Sequence, residues 1–197
     1  CTRYDITYAV NMCARAMAEP KNRDWTAVKR IFRYLAGTKE FGITYYRSDK
    51  LIIEAYSDAD WAGCTETRRS VSGSLLMFAG GPISWNSKKQ DIVALSTLES
   101  EYIAGSYTSQ ELIYISRLID ELKITQISKP ILYMDNQEAM AFSKNQTNHG
   151  RSKHIDTRHY FLRQSVQAGI FELKYCETNS MLADILTKAL TPIKFKN

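Results

Sequence analysis

The sequence predicts a mixed α/β fold that follows a short helical start. Two patterns predict it: short apolar runs bounded by turn residues, and apolar residues that recur at three- and four-residue steps. From residue 50 onward these patterns follow the order β-β-β-α-β-α-α-β-α, which is typical of a mixed sheet flanked by helices. A chain of 197 residues with 44% apolar and 24% charged residues is long and apolar enough to fold around such a core.

The first 49 residues are expected to form a small helical segment. Apolar residues among alanines predict a helix over residues 6–17. A second helix is predicted over residues 25–35, with Asp24 at its start and Gly37 at its end. A short strand is predicted over residues 41–46.

The later elements are bounded by acidic, glycine-containing or basic turns. They are strands over 51–57, 72–78 and 83–87, a helix over 97–122, a strand over 131–134, helices over 137–143 and 156–167, a strand over 171–176 and a helix over 182–190. Three consecutive strands predict an antiparallel meander. The apolar stripe Leu112, Ile115, Ile119 and Leu122 assigns one face of the long helix to the core.

Composition excludes several classes of protein. The four cysteines lie far apart and show no zinc-ligand spacing, so we expect neither a disulfide framework nor a zinc site, and a reducing, intracellular setting. No apolar run approaches the roughly 20 residues that span a bilayer, and the start lacks the pattern of a signal peptide. We therefore expect a soluble protein with no membrane partner. The start at Cys1 rather than Met suggests a piece of a longer chain.

Positive charge is concentrated in one stretch. The net charge of +5 argues only weakly for a polyanionic partner. Residues 144–163, however, contain five lysines and arginines, all three histidines and a single acid, Asp156. This stretch predicts either a phosphate-binding surface or a solvated helix face, and charge alone does not separate the two.

Two acids follow predicted strands. Asp58 and Asp135 each come directly after an apolar run, and sites in mixed α/β sheets are usually built from polar residues at strand ends. An aspartate in such a position can also simply cap a turn or the next helix. Each acid taken alone is compatible with both roles.

Two further acids are candidates. Glu99 and Glu101 lie about 200° apart on a helix, so they cannot face the same site. Glu99 completes a capping box with Ser96, which leaves Glu101 free to point toward the sheet, where an unpaired carboxylate is costly to bury unless it binds a cation. Asp184, near the start of the last predicted helix, is the fourth candidate. Its alternative role is to stabilise that helix through the helix dipole.

Converging carboxylates repel one another unless cations neutralise them. A set of oxygen ligands without cysteine or clustered histidine favours Mg²⁺, with Mn²⁺ as the other possibility. Two such ions can activate a water and stabilise the leaving oxygen of an in-line attack on phosphorus. The sequence therefore predicts phosphodiester hydrolysis, with these candidate ligands and catalytic residues: Asp58, Glu101, Asp135 and Asp184.

Seven motifs occur in a fixed order over residues 51–190. They are A-Y-S-D-A-D-W-A-G from Ala55, R-S-V-S-G from Arg69, I-S-W-N-S-K-K-Q from Ile83, A-L-S-T-L-E-S-E-Y from Ala94, Y-M-D-N from Tyr133, S-K-H-I-D from Ser152 and A-D-I-L-T-K from Ala183. Together they resemble the ribonuclease H (RNase H) region of copia-type retrotransposon Pol polyproteins. The first part, with Y-D-I-T-Y-A-V from Tyr4, resembles the segment that joins reverse transcriptase to RNase H in the same family.

This resemblance implies a fold and an organisation. The fold is RNase H-like, with a five-stranded mixed sheet flanked by helices. Residues 1–49 are the C-terminal connecting segment of the reverse transcriptase and residues 50–197 are the RNase H-like domain. The catalytic aspartate pair of the polymerase is absent, so we do not expect this segment to synthesise DNA.

The resemblance also implies an activity. It is hydrolysis of the RNA strand of RNA–DNA hybrids during reverse transcription, with two Mg²⁺ ions bound by the same four acids. Asp60 is expected to be a turn or supporting residue. The implied partners are the hybrid and the polymerase domain of the polyprotein, with no small-molecule cofactor, in the cytoplasm within virus-like particles. The loop 178–182 lacks the histidine that cellular relatives often carry, which puts rate or product release in doubt.

Contacts with the hybrid should be mostly to phosphates. The candidate contact residues are Arg68, Arg69, Lys88, Lys89, Arg151, Lys153, His154 and Arg158. Trp61 and Trp85 could stack near the groove, but we expect both to be core residues. Two alternative functions stay open: a non-catalytic nucleic-acid-binding or spacer module that supports the polymerase, and a related nuclease that acts on DNA.

Overall fold

A computed structural model of the chain describes residues 2–47, 51–124, 128–144 and 153–196, with the backbone alone at 153–159 and 196. Its helices are α1 (Thr7–Ala14), α2 (Asn22–Gly37), α3 (Thr97–Glu121), α4 (Gln137–Lys144), α5 (Lys153–Gln167) and α6 (Pro192–Lys196). Its strands are β1 (Glu54–Asp60), β2 (Val71–Phe78), β3 (Gly81–Lys89), β4 (Ile131–Met134) and β5 (Glu172–Tyr175). Short 3-10 turns lie at Tyr4–Ile6, Thr178–Ser180 and Leu182–Leu186. None of the described helices combines the length and the apolar character needed to cross a membrane.

The five strands form one sheet in the order β3-β2-β1-β4-β5. The first three strands pair antiparallel, whereas β4 runs parallel to β1 and β5 runs parallel to β4. The predicted meander and the five-stranded mixed sheet of an RNase H-like fold are therefore confirmed.

The core lies between the sheet and helices α3, α4 and α5. Helix α3 packs across β1 and β2, and the buried ring of Tyr102 meets the ring of Phe142 edge to face, with 5.1 Å between centroids. Leu112 and Ile119 are buried as the apolar stripe predicted. Leu122, at the end of that stripe, is 62% exposed because α3 ends at Glu121 and the stripe leaves the sheet there.

The N-terminal helices lie against the β3 edge and the C-terminal end of the chain. Asn11 Nδ2 donates to the Ser87 carbonyl at 2.6 Å, and the rings of Tyr4 and Trp85 pack edge to face. No residue of α1 or α2 is buried. This segment is therefore attached by polar and aromatic contacts and has no core of its own.

Two predicted elements are wrong. Residues 41–47 form no strand, although the Tyr46 N–H donates to the Ala79 carbonyl at 2.8 Å. The single helix predicted over 182–190 is instead the 3-10 turn Leu182–Leu186 followed by α6. The residues of this turn pack close to Gly73, and Pro192, at the first position of α6, disfavours helical backbone only at residue 191.

Candidate metal site at the edge of the sheet

The register of β1 and β4 places two acids side by side. The parallel pairing ends at Ser57 opposite Met134, and Asp58 and Asp135 are the next residue of each chain segment. Asp58 is almost fully buried, whereas Asp135 is partly exposed. Both carboxylates therefore lie at the end of the sheet where the parallel pairing of β1 with β4 stops.

Helix α3 supplies the third acid. Its N-terminus is capped by Ser96, whose hydroxyl accepts from the Glu99 N–H at 3.1 Å, and the Glu99 carboxylate accepts from the Leu95 N–H at 2.7 Å. Glu99 thus takes part in the N-terminal cap of its own helix. Glu101 points to the sheet, where its Oε1 accepts from the Ala59 N–H at 3.2 Å, beyond the last residue of β1 that pairs with β4.

These three acids form a cluster that fits a divalent cation. One carboxylate oxygen from each of Asp58, Glu101 and Asp135 lies within 4.8 Å of the other two. The second oxygen of Glu101, Oε2, is buried and accepts no hydrogen bond from any residue that the structure describes. A buried carboxylate oxygen without a donor is costly, and a bound cation would remove that cost. The all-oxygen ligand set suits Mg²⁺ or Mn²⁺.

Burial dominates the electrostatics of the cluster. It raises the pKa of Asp58 to about 7, against the opposing effect of the Lys188 ammonium. Burial also holds the pKa of Glu101 well above its usual range, and the neighbouring Asp58 and Asp135 add to this effect. Without a cation, the cluster therefore retains protons at a pH where ordinary carboxyl groups have lost them.

Asp184 lies beside the cluster but has partners of its own. It belongs to the 3-10 turn Leu182–Leu186 and is 1% exposed. Lys188 Nζ lies 2.7 Å from its Oδ1, and Lys194 Nζ donates to its Oδ2. The same Lys188 Nζ is 3.8 Å from Asp58 Oδ2. Of the four predicted acids, the structure thus brings three into one cluster and pairs the fourth with two lysines.

Gly73 makes room for this turn. It pairs with Asp58 across β1 and β2, and directly opposed residues share a face of a sheet. A Cβ at Gly73 would lie 2.7 Å from Thr187 Cγ2 and 2.9 Å from the Ala183 carbonyl oxygen. The absent side chain lets the turn approach the sheet, and there the Thr187 hydroxyl donates to Asp58.

Four of the predicted nucleic-acid contacts lie at the same edge. The end of β1 pairs with the start of β2, which pairs with the end of β3. Four residues therefore lie at the same end of the sheet as Asp58, one or two strands away from it: Arg68, Arg69, Lys88 and Lys89. Arg68 and Lys88 are exposed, and Lys88 is 3.5 Å from Asp91. Arg151 lies outside the described residues, as do the side chains of Lys153, His154 and Arg158.

The two tryptophans and Asp60 occupy different surroundings. Trp61 is 45% exposed, so its predicted core position is wrong: its indole N–H donates to the Ala94 carbonyl at 3.0 Å, which holds the ring at the surface. Trp85 is half-buried against Tyr4. Asp60 ends β1 and is partly buried beside Gly63.

Four residues of the site were missed by sequence reasoning. Lys188, Lys194 and Thr187 contact Asp58 or Asp184, and the Thr178 hydroxyl donates to Asp135 Oδ2 at 2.9 Å. One signal was available for Lys188, because residues four apart on a helical turn are neighbours. The others depend on how the C-terminal segment folds back.

The fold and the site define an RNase H-like α/β protein with a carboxylate cluster at the end of its inner strands β1 and β4. No protein-family model matches the chain. The chain is 42% identical, over its whole length, to the retrovirus-related Pol polyprotein from transposon RE2 of Arabidopsis thaliana. It is also 42% identical to the retrovirus-related Pol polyprotein from transposon TNT 1-94 of Nicotiana tabacum. These homologues, 42% identical over the whole of this chain, are Pol polyproteins of copia-type retrotransposons.

The match covers a small part of those relatives. The chain spans 14% of the RE2 polyprotein and 15% of the TNT 1-94 polyprotein. Among solved structures, the crystal structure of LC11-RNase H1 in complex with RNA/DNA hybrid aligns with a TM-score of 0.49 and 12% identity, over 68% of this chain and 93% of that chain. The fold of this chain is defined by its own strand order and strand directions.

Proposed function

We propose that this chain is the RNase H part of a Pol polyprotein and that it hydrolyses the RNA strand of RNA–DNA hybrids during reverse transcription. Residues 50–197 form the nuclease domain, and residues 1–49 are the connecting segment at the end of the reverse transcriptase. The observation that carries the proposal is the buried, donor-free Oε2 of Glu101 beside two further carboxylates. The similarity to Pol polyproteins supports the choice of substrate.

The acid cluster would hold Mg²⁺, or Mn²⁺ in its place, through Asp58, Glu101 and Asp135. When bound, such an ion supplies Lewis-acid stabilisation of the phosphate and lowers the pKa of a water. The four-acid, two-ion arrangement implied by the resemblance adds Asp184 to this set.

The chain orients each ligand of the cluster with a separate donor. The Thr187 hydroxyl donates to Asp58, the Ala59 N–H donates to Glu101, and the Thr178 hydroxyl donates to Asp135. Such donors fix the direction in which a carboxylate presents its free oxygens, and their loss weakens metal binding. Thr178 stands in the loop where cellular relatives often carry a histidine, so here that loop supports a metal ligand instead.

The hybrid would reach the cluster along the edge of the sheet. Arg68, Arg69, Lys88 and Lys89 would contact its phosphates, which supply most of the affinity in nucleic-acid binding. The polymerase part of the same polyprotein is the partner that would present the hybrid. This function belongs in the cytoplasm, within virus-like particles.

Cleavage of a labelled RNA–DNA hybrid tests the proposal. We expect Mg²⁺-dependent cutting of the RNA strand, no cutting in EDTA, and none by the Asp135→Asn variant. Asp120→Asn serves as the matched control, because Asp120 is an exposed acid on the far part of α3 and should leave cutting unchanged. Matched duplex DNA and duplex RNA should remain intact.

Two other outcomes would replace the proposal. A folded wild-type protein that binds hybrid but never cuts it, even when the polymerase part is added, would identify a non-catalytic module. Cutting of duplex DNA in preference to the hybrid would identify a DNA nuclease.

A further inference from the structure

A lysine stands between two buried acids of the site. Lys188 Nζ is 2.7 Å from Asp184 Oδ1 and 3.8 Å from Asp58 Oδ2, and both carboxylates are at most 2% exposed. A carboxyl group so deeply buried either keeps its proton or needs a positive charge nearby. Lys188 supplies it from within the chain, on the side of Asp58 that faces Asp184.

A second lysine fixes this arrangement from the C-terminal helix. Lys194, on α6, donates to Asp184 Oδ2 and, at 2.8 Å, to the Thr178 carbonyl. The hydroxyl of the same Thr178 donates to Asp135. Each oxygen of Asp184 therefore has an ammonium nitrogen within 2.7 Å, although among the described residues only Oδ2 accepts a hydrogen bond. Helix α6 is in this way tied to the loop that supports the acid cluster.

We propose that Lys188 takes the place of the second divalent cation between Asp58 and Asp184, so that the site binds a single divalent ion through Asp58, Glu101 and Asp135. Lys194 is a positioning residue that keeps Asp184 in this pairing. The proposal rests on the proposed function of the acid cluster. It departs from the two-ion arrangement implied by the family resemblance because the ammonium groups of Lys188 and Lys194 already lie against the two oxygens of Asp184.

The change in ion affinity on replacing Lys188 distinguishes this proposal from a purely structural role of the lysine, because the two predict changes in opposite directions. An ammonium 3.8 Å from Asp58 repels an ion that Asp58 binds, so removing that ammonium should tighten ion binding. If Lys188 only held the turn in place, its removal would loosen Asp58 and weaken binding. Replacement by arginine keeps the charge and should preserve the wild-type affinity.

Binding of Mn²⁺ to the protein without nucleic acid measures this directly. Free Mn²⁺ is followed by electron paramagnetic resonance during titration of wild type, Lys188→Met, Lys188→Arg and Lys194→Met. We expect one Mn²⁺ per wild-type chain. In Lys188→Met we expect about tenfold tighter binding, a conservative effect for one charge at this distance, and a second Mn²⁺ per chain. Lys194→Met, which removes a charge from Asp184 alone, should tighten binding less.

Lys174→Met is the matched control, because Lys174 lies on β5 and pairs with Glu172 at 3.2 Å, away from the acids. Thermal melting followed by circular dichroism establishes whether each variant is folded. If Lys188→Met does not fold, the Mn²⁺ affinity of Lys194→Met tests the proposal instead. Unchanged or weaker Mn²⁺ binding in the folded lysine variants, or two ions in the wild type, would overturn this proposal and leave the proposed function intact. No Mn²⁺ binding in any variant would overturn both.

Discussion

Glu101 and Asp184 are both buried carboxylates at the same edge of the sheet, yet their surroundings are opposite. Glu101 is 6% exposed, accepts one backbone hydrogen bond and otherwise faces two carboxylates. Asp184 is 1% exposed and contacts two ammonium groups. Burial is therefore common to both, and the internal counter-charge is what differs. Glu101 has no ammonium group in contact with it among the described residues, and it is the acid that we expect an external cation to neutralise.

The largest expected effect comes from Glu101→Gln. The amide keeps the bond from Ala59 and, unlike the carboxyl group, needs no proton in order to stay neutral beside Asp58 and Asp135. The metal-free protein should therefore become more stable, while Mg²⁺ no longer raises its melting temperature. Cleavage of the hybrid should fall by more than about 100-fold, because an ion contributes several kcal/mol to the transition state. Melting curves with and without Mg²⁺, together with hybrid cleavage, check both effects. Retained cleavage would remove Glu101 from the site.

The next largest effect is expected in the pH dependence of stability, which reports on Asp58 and Glu101. Because the pKa of Asp58 is raised from 3.8 to about 7 and that of Glu101 is also raised, the folded state holds more protons than the unfolded state between those values. In EDTA the free energy of unfolding should therefore fall as pH rises from about 4 to about 7, by on the order of 3 kcal/mol. Denaturant titrations at several pH values measure it. The slope should be shallower in Glu101→Gln, and a rise of stability with pH in EDTA would contradict the assignment.

Asp184→Asn should act in the direction opposite to Glu101→Gln. It leaves Lys188 and Lys194 facing a neutral group, so the protein should lose about 2–3 kcal/mol of stability, less than for a fully buried pair because both lysines are partly exposed. The loss should be similar with and without Mg²⁺. A variant as stable as the wild type would show that the lysine pairs contribute little.

Gly73→Ala probes how closely the C-terminal turn must approach the sheet. The added methyl group meets Thr187 Cγ2 and the Ala183 carbonyl at under 3 Å, so the turn has to move. We expect a loss of about 2 kcal/mol in the free energy of unfolding. Gly42→Ala, at a position with no heavy atom within 4 Å of the added carbon, is the control. Equal melting temperatures for the two variants would contradict the close approach.

The smallest effect is expected for Thr178→Val. This change removes the hydrogen bond to Asp135 at the exposed side of the cluster and keeps the shape of the side chain. Mn²⁺ affinity should fall by about tenfold at most, with little change in stability. Unaltered affinity would show that Asp135 is oriented without Thr178.

The sheet and most of the acid cluster were predictable because they depend on local patterns. Apolar runs located the strands, and the residues that follow two of them are Asp58 and Asp135. The capping position of Glu99 left Glu101 as the acid that turns toward the sheet. These inferences needed only the periods of helices and strands and the chemistry of a helix N-terminus.

The surroundings of Asp184 were not predictable in the same way. The sequence after Leu182 has a helical pattern, but packing against Gly73 and the start of α6 at Pro192 leave only a 3-10 turn there. The pairing of Lys194 with Asp184 depends on how α6 folds back over that turn, which no local pattern encodes. Trp61 was misplaced for a related reason, since one hydrogen bond to Ala94 is enough to hold an indole at the surface.

The hydrogen bond from Thr187 to Asp58 joins residues 129 positions apart. On a ribosome, β1 therefore emerges long before the turn that covers its aspartate, and β4, which carries the chain to Asp135, emerges between them. Contacts of such long sequence separation carry a loop-closure cost that slows folding. Any copy of this chain whose translation stops before residue 187 lacks the hydroxyl that contacts Asp58, so this part of the acid site is completed only after Thr187 has been added.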